Sequence, residues 1–262
     1  MKKLLFGAII GDIVGSRFEF NNHRNKQFEF FHKNCFITDD SIMTLAVANA
    51  LCDYKKNKGE LQDITIKWMQ KLGRPYPNCG FGGSFYRWIY SNNPMPYNSY
   101  GNGAAMRVSA CGLIGRNIEE VQFLSKCVTE VSHNHAEGIK GAEATAVCVY
   151  LARTGKSIEE IKTYVNEHYY TLDFTLDEIR NTYKFNETCQ DTVPQAIQAF
   201  LESTSFEDAI RCGISIGGDS DTICAITGAI AGVYYGIPQD FIHKSLEYFD
   251  DRLLKAYNQI DF

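Results

Sequence analysis

The chain has 262 residues, of which 45% are hydrophobic, 22% charged and 13% aromatic, and 26 Lys and Arg against 31 Asp and Glu leave a net charge of -5. These proportions exclude a collagen, a disordered tail and a mini-protein, and at this length folding buries roughly 70–75% of the unfolded chain's surface. Without a run of five basic residues there is no footprint of an extended nucleic-acid surface, although engagement of a nucleic acid at one modified site stays open.

The opening, MKKLLFGAII, imitates a signal peptide, but Asp12 interrupts the apolar stretch and no small-x-small cleavage site follows. Leu4, Leu5, Ala8, Ile9 and Ile13 form a helical stripe; Ile42, Leu45, Ala46, Ala48 and Leu51 form a second; Ala142, Ala146, Val149 and Tyr150 form a third. Further helices are expected over 60–72, 80–90, 104–114, 118–130, 157–167, 176–184, 192–202, 206–214, 221–235 and 239–257. Alternating strand patterns are missing, so the expected fold class is all-α. The separators, such as Gly73 to Asn78 and Ser91 to Pro96, are too short for interdomain linkers, and one domain over residues 1–262 is expected.

Nine cysteines are scattered without a Cys-x-x-Cys pair, which reads as buried thiols in a reducing compartment. The most apolar late segment, Ile223 to Ile237, falls short of the ~20 residues that span a bilayer. A cytoplasmic monomer without membrane contact is the expectation.

Glycines recur every fourth residue at Gly7, Gly11 and Gly15, and again at Gly228, Gly232 and Gly236. Each costs a helix interior about 1 kcal/mol against alanine, so the spacing implies a compensating close approach of backbones. Two central helices in mutual contact are one reading; separate partners for each are the other.

Thr38-Asp39-Asp40-Ser41 stands directly before an apolar helix, and Gly217-Gly218-Asp219-Ser220-Asp221-Thr222 runs into another. One such cluster is ordinary capping. Two, on helices apolar enough to be buried, would concentrate up to four carboxylates that need cations or raised pKa values. Hard oxygen donors of this kind suit Mg²⁺ or Mn²⁺, with threonine hydroxyls and waters completing octahedra. Glu19, after the first glycine-faced helix, reads by itself as a surface carboxylate. Ser99 to Arg107 offers a glycine turn into a helix whose free N–H groups could hold a phosphate. His133 and His135 lack the company that zinc requires.

Taken in order, five blocks resemble the ADP-ribosylglycohydrolase family: Gly7 to Glu19 (GAIIGDIVGSRFE), Thr38 to Ser41 (TDDS), Ser99 to Arg107 (SYGNGAAMR), Ser132 to Ala142 (SHNHAEGIKGA) and Gly217 to Gly236 (GGDSDTICAITGAIAGVYYG). The resemblance implies a compact all-α domain with two divalent cations, Mg²⁺ or Mn²⁺, held by Thr38, Asp39, Asp40, Asp219, Asp221 and Thr222, with Asp221 bridging them. It implies a hydrolase that releases ADP-ribose from a modified acceptor, with Glu19 near the anomeric carbon as base or acid. Ser99, Tyr100, Gly101, Asn102 and His133 fall on the family's ADP-ribose-binding positions. Asp12 reads as a support for a metal ligand or as a buried cap. The segments Gly80 to Trp88 and Pro94 to Asn98 are placed on the acceptor side. A binding module on the same fold and a two-metal phosphoester hydrolase are the rival functions.

Overall fold

The computed structural model describes residues 1–262. It contains fourteen α-helices and no sheet, with a single isolated bridge between Gly101 and Thr188. One continuous cluster of 72 buried hydrophobic residues links the helices.

At its centre lies the helix Phe6–Gly15, every residue of which is buried. A helix apolar all round belongs in a core. It packs against Ser220–Tyr234 in an antiparallel register that the glycines dictate. A Cβ on Gly7 would lie 2.3 Å from the Gly228 carbonyl oxygen, one on Gly11 1.9 Å from that of Cys224, and one on Gly15 2.4 Å from that of Ser220. Cβ atoms do not tolerate such distances, so only glycine lets these backbones touch.

The mutual-contact reading therefore holds, with one correction. Gly236 does not line the interface; it lies beyond the end of the helix at φ +79°, where glycine is the natural left-handed terminator. The positions that face the first helix's glycines are Ser220, Cys224, Gly228 and Gly232, the last with its Cβ position 3.0 Å from the Gly7 Cα, so small residues rather than glycines alone make the second face.

Antiparallel packing puts the end of the first helix beside the start of the second. Glu19, which follows the short 3₁₀ turn Ser16–Phe18, thereby arrives next to Asp219 and Asp221. A third buried element, the helix Asp39–Asn57, starts at the same place because Asp12 of the first helix ties down its N-terminus.

Most expected helices form near their expected bounds, including Leu61–Gly73, Ile118–Glu130, Ala136–Arg153, Ile158–His168, Cys189–Leu201 and Phe206–Ser215. The helix expected over 80–90 starts only at Gly83, the one over 176–184 stops at Ile179, and the long one over 239–257 divides into Gln239–Leu246 and Asp251–Gln259. The division has a local cause: the Asp250 carboxylate accepts from the N–H groups of Arg252 and Leu253 and starts a new helix. All nine cysteines are free thiols, eight buried and Cys79 partly exposed. No helix is long and apolar enough to cross a membrane.

Candidate active site

Thr38 caps Asp39–Asn57 from an extended backbone, its hydroxyl oxygen accepting the Asp40 N–H at 3.3 Å. The same hydroxyl donates to Asp12 at 2.7 Å. Asp12 is fully buried inside the first helix and spends its other oxygen on the N–H groups of Thr38 and Ser41, both at 3.1 Å, and on the Ser41 hydroxyl. It is thus a buried cap and a support for the acidic segment at once.

The second acidic segment enters through Gly217 and Gly218, both at positive φ. A Cβ on Gly218 would strike the Tyr183 ring at 2.3 Å. Asn22 clamps this turn, donating to the Gly218 carbonyl and accepting the Gly218 N–H, each at 2.9 Å, while its amide also reaches the Glu19 carbonyl. Asp219 stands at the N-cap position of Ser220–Tyr234 but makes no capping bond. Its carboxylate instead accepts the Asn102 side-chain amide at 2.6 Å. Ordinary capping does not account for it.

Two carboxylate groups result. Oxygens of Asp12, Asp40 and Asp221 lie within 4.8 Å of one another, as do those of Glu19, Asp219 and Asp221, so Asp221 belongs to both. The Thr222 hydroxyl donates to Asp40 at 3.3 Å and joins the two segments. None of the protein's eight ion pairs involves these acids. Burial raises their pKa values, against the hydrogen bonds that Asp12 accepts from Thr38 and Ser41 and with repulsion from neighbouring carboxylates adding to it for the others: Asp12 and Asp219 to about 6, Glu19 to about 8, and Asp39, Asp40 and Asp221 well above the carboxylate range. Glu19 is half-buried and feels Asp221, Glu187 and Asp12, so it is not an ordinary surface carboxylate.

One oxygen each of Asp40 and Asp221 is buried without any hydrogen-bond partner. Leaving such an atom unpaired costs about 1–3 kcal/mol, more when charged. A hard divalent cation satisfies both the orphaned oxygens and the charge, and the donor set of carboxylates and hydroxyls fits one.

A cavity of about 250 Å³ opens over these carboxylates. Of the residues expected at the site, Glu19, Asp39, Asp40, Asp219, Asp221, Thr222, Ser99, Gly101, Asn102 and His133 line it. Thr38 lies behind Asp40, buried and facing Asp12. Tyr100 is 45% exposed, packs on the His135 ring and does not face the cavity.

The glycine turn departs from its expected form. Asn102–Ala104 is a single 3₁₀ turn, and the following helix begins only at Ser109, so no regular helix start presents N–H groups here. The Gly101 N–H is taken by Ser99 Oγ at 3.1 Å and the Asn102 N–H by the Glu187 carbonyl at 2.7 Å. Space is what the glycines provide: a Cβ on Gly101 or Gly103 would lie 3.6 or 3.4 Å from His133 Nε2. His135 holds no metal position; it caps Ala136–Arg153, its Nδ1 accepting the Glu137 N–H at 3.1 Å.

The segment placed on the acceptor side divides. Gly80, Gly82, Gly83, Ser84, Phe85 and Tyr97 line the cavity, whereas Pro94, Met95 and Pro96 line a separate depression with Gln62 and Lys67. Sequence reasoning missed Arg107, Asn22 and Glu187 as parts of the site. Arg107 ends the glycine block and is the largest fully buried side chain, but a single basic residue before an apolar helix carries no distinguishing pattern.

Helices alone, two acidic segments gathered against one buried helix, and a glycine turn over their shared cavity define a helical fold with a polyacidic centre. The chain belongs to the ADP-ribosylglycohydrolase family, whose sequence profile matches residues 1–260. It is 24% identical to the ADP-ribosylhydrolase ARH3 of Mus musculus over 311 aligned positions, covering 90% of this chain and 83% of that protein. It is also 24% identical to the ADP-ribosyl-[dinitrogen reductase] glycohydrolase of Rhodospirillum rubrum, covering 91% of this chain and 87% of the relative. The ADP-ribosylarginine hydrolase Tri1 of Pseudomonas putida is 23% identical, with 93% and 73% covered. A solved ADP-ribosylglycohydrolase-related protein complex superposes with a TM-score of 0.69 at 19% identity, covering 99% of this chain and 95% of the other, and so shares the fold.

Proposed function

We propose that this protein hydrolyses the glycosidic bond between ADP-ribose and a modified acceptor, a protein side chain, a nucleobase or a small molecule, and releases ADP-ribose. The single observation that carries the reading is Asp221. It stands in both carboxylate groups with an orphaned oxygen, at the floor of a cavity whose other wall is the glycine turn with His133. A polyacidic floor beside an open glycine turn accommodates a ligand with a diol at one end and a diphosphate further along.

Thr38, Asp39, Asp40, Asp219, Asp221 and Thr222 would hold two Mg²⁺ ions, with Mn²⁺ as the alternative. When bound, these cations supply charge compensation and Lewis acidity toward ribose hydroxyls and water. Ser99, Tyr100, Gly101, Asn102 and His133 form the ADP-ribose side. For Tyr100 the backbone serves, since its carbonyl accepts the Cys189 N–H at 2.9 Å and fixes the turn. Glu19 is the proton-transfer residue: its carboxyl either takes the proton of the attacking water or gives one to the departing acceptor atom. Breaking such a bond passes through an oxocarbenium-like state.

The proposal also takes the protein as one domain, a monomer and cytoplasmic; the single core supports the one domain and the nine free thiols a reducing compartment. The test is incubation with Mg²⁺ and substrates carrying ADP-ribose on arginine, serine or DNA bases. Free ADP-ribose from at least one supports the proposal. Binding of ADP-ribose without cleavage of any would favour the binding-module reading instead.

A further inference from the structure

Arg107 is fully buried and pairs with no carboxylate. Its guanidinium lies 5.3 Å from the centre of the Phe85 ring, and its Nη2 donates to Ser132 Oγ at 2.8 Å. Ser132 Oγ is in turn 2.8 Å from His133 Nδ1. These three side chains are buried in a row, and the direction of each hydrogen bond follows from chemistry.

A guanidinium only donates, so the Ser132 oxygen accepts from it. The hydroxyl has one proton, and the only acceptor in its reach is His133 Nδ1. The opposite assignment, with Nδ1–H donating to the serine, would leave the hydroxyl proton buried without a partner. His133 is therefore the tautomer with a bare Nδ1 and its proton on Nε2. The ring is held between Phe85 and Tyr97, with centroids at 6.0 and 5.5 Å. Its Nε2 faces the gap beside Gly101 and Gly103.

We propose that Arg107 is a positioning residue: through Ser132 it fixes His133 as an Nε2–H donor aimed at the gap beside Gly101 and Gly103, where it meets an anionic oxygen of the diphosphate of ADP-ribose. This rests on the reading of that gap as part of the ADP-ribose site. Burial, and after it the Arg107 charge, also drives the His133 pKa well below its ordinary value, so the ring stays a neutral donor. Nature of the partner follows from the donor: a neutral N–H beside two glycines, with a buried cation behind it, selects an oxyanion that arrives already charged.

The test is a long-range ¹H–¹⁵N spectrum of the six histidines, with His133 assigned by comparison with His133→Gln, followed by calorimetric titration with ADP-ribose. The unliganded protein should show His133 neutral with an unprotonated Nδ1, and its Nε2–H signal should move on addition of ADP-ribose. Ser132→Ala, which removes one oxygen and leaves the packing, should populate both tautomers and weaken ADP-ribose binding by about five- to tenfold. Arg107→Lys should stay nearer the wild type than Arg107→Met, in tautomer and in affinity. A protonated Nδ1 in the wild type, or unchanged His133 signals in Ser132→Ala, would overturn the relay. Absence of ADP-ribose binding by the wild type would instead overturn the functional reading and the target of the N–H with it, while the spectrum of the unliganded protein still judges the relay.

Discussion

The carboxylate of Asp12 accepts the hydroxyl of Thr38 at 2.7 Å, so a residue of the buried first helix sets the position of an acidic segment 26 residues further along. Its second oxygen receives two N–H groups of that segment. Asp12→Asn replaces one acceptor oxygen by an amide that meets donors. Divalent-cation affinity should fall by about 10–100-fold, as for other supporting partners of metal ligands. Calorimetric titration with Mg²⁺ checks it, and an affinity equal to wild type would show that the tie to Thr38 does not orient the site.

Asp221 stands in both carboxylate groups, which no other residue does. Asp221→Asn should therefore abolish binding at one cation position at least, whereas loss of a residue in one group only should spare the other. Elemental analysis of the purified variants against wild type decides this. Unchanged stoichiometry in Asp221→Asn removes the shared position from the proposal.

Without cations the acidic cluster should make stability depend on pH in a defined direction. Asp12 and Asp219 are raised to about 6 from 3.8, and Glu19 to about 8 from 4.5, chiefly by burial. Each binds its proton more tightly in the folded state. Their contribution is thus complete below about pH 4 and is lost as pH rises through the folded values. In EDTA the melting temperature should fall between pH 5 and pH 8, and added Mg²⁺ should raise it more at pH 8 than at pH 5. A chelated protein that grows more stable over this range would contradict the arrangement.

The glycine interface makes a prediction independent of any ligand. A Cβ at Gly11 would lie 1.9 Å from the Cys224 carbonyl oxygen, while one at Gly59 would meet nothing nearer than Ile64 Cδ1 at 3.4 Å. Gly11→Ala should lose about 1–3 kcal/mol by overpacking, and Gly59→Ala should stay within about 0.5 kcal/mol. Urea unfolding of the two variants separates them, and equal stability would mean that the central helices part without cost.

How far the sequence discloses this molecule depends on the range of the signal. Helical stripes and the four-residue spacing of glycines are local, and they locate Phe6–Gly15, Ser220–Tyr234 and their contact. The acidic segments are local too, and the repetition of one in the other points to the cavity floor. Gly236 misleads because a left-handed terminator and a packing glycine are the same residue at the same spacing. The glycine turn misleads for a longer-range reason as well: the 186–189 segment pairs with it and its Glu187 carbonyl takes the Asn102 N–H, while Ser99 Oγ within the turn takes that of Gly101, so N–H groups that sequence would leave free are spent. Arg107 and Asn22 act through partners 25 and 196 residues away, and no spacing rule reaches them.

Glu19 offers the sharpest separation of binding from chemistry. Its carboxylate reaches Asp219 and Asp221 within 4.8 Å, lines the cavity and sits at a pKa of about 8 in the absence of cations, drawn up by burial and by Asp221. Bound cations would draw that value down toward the working pH, where a proton can be both held and released. Glu19→Gln keeps the size and the hydrogen-bonding reach but carries no transferable proton. ADP-ribose affinity should then change by less than about threefold, and turnover of a cleavable substrate should fall by about 10²–10⁴-fold. Removing one negative charge also relieves repulsion, so the variant should melt higher than wild type in EDTA at pH 8. Full turnover in Glu19→Gln would place proton transfer on another group. A parallel loss of ADP-ribose binding and turnover would make Glu19 a ligand-holding residue, as its grouping with Asp219 and Asp221 also allows.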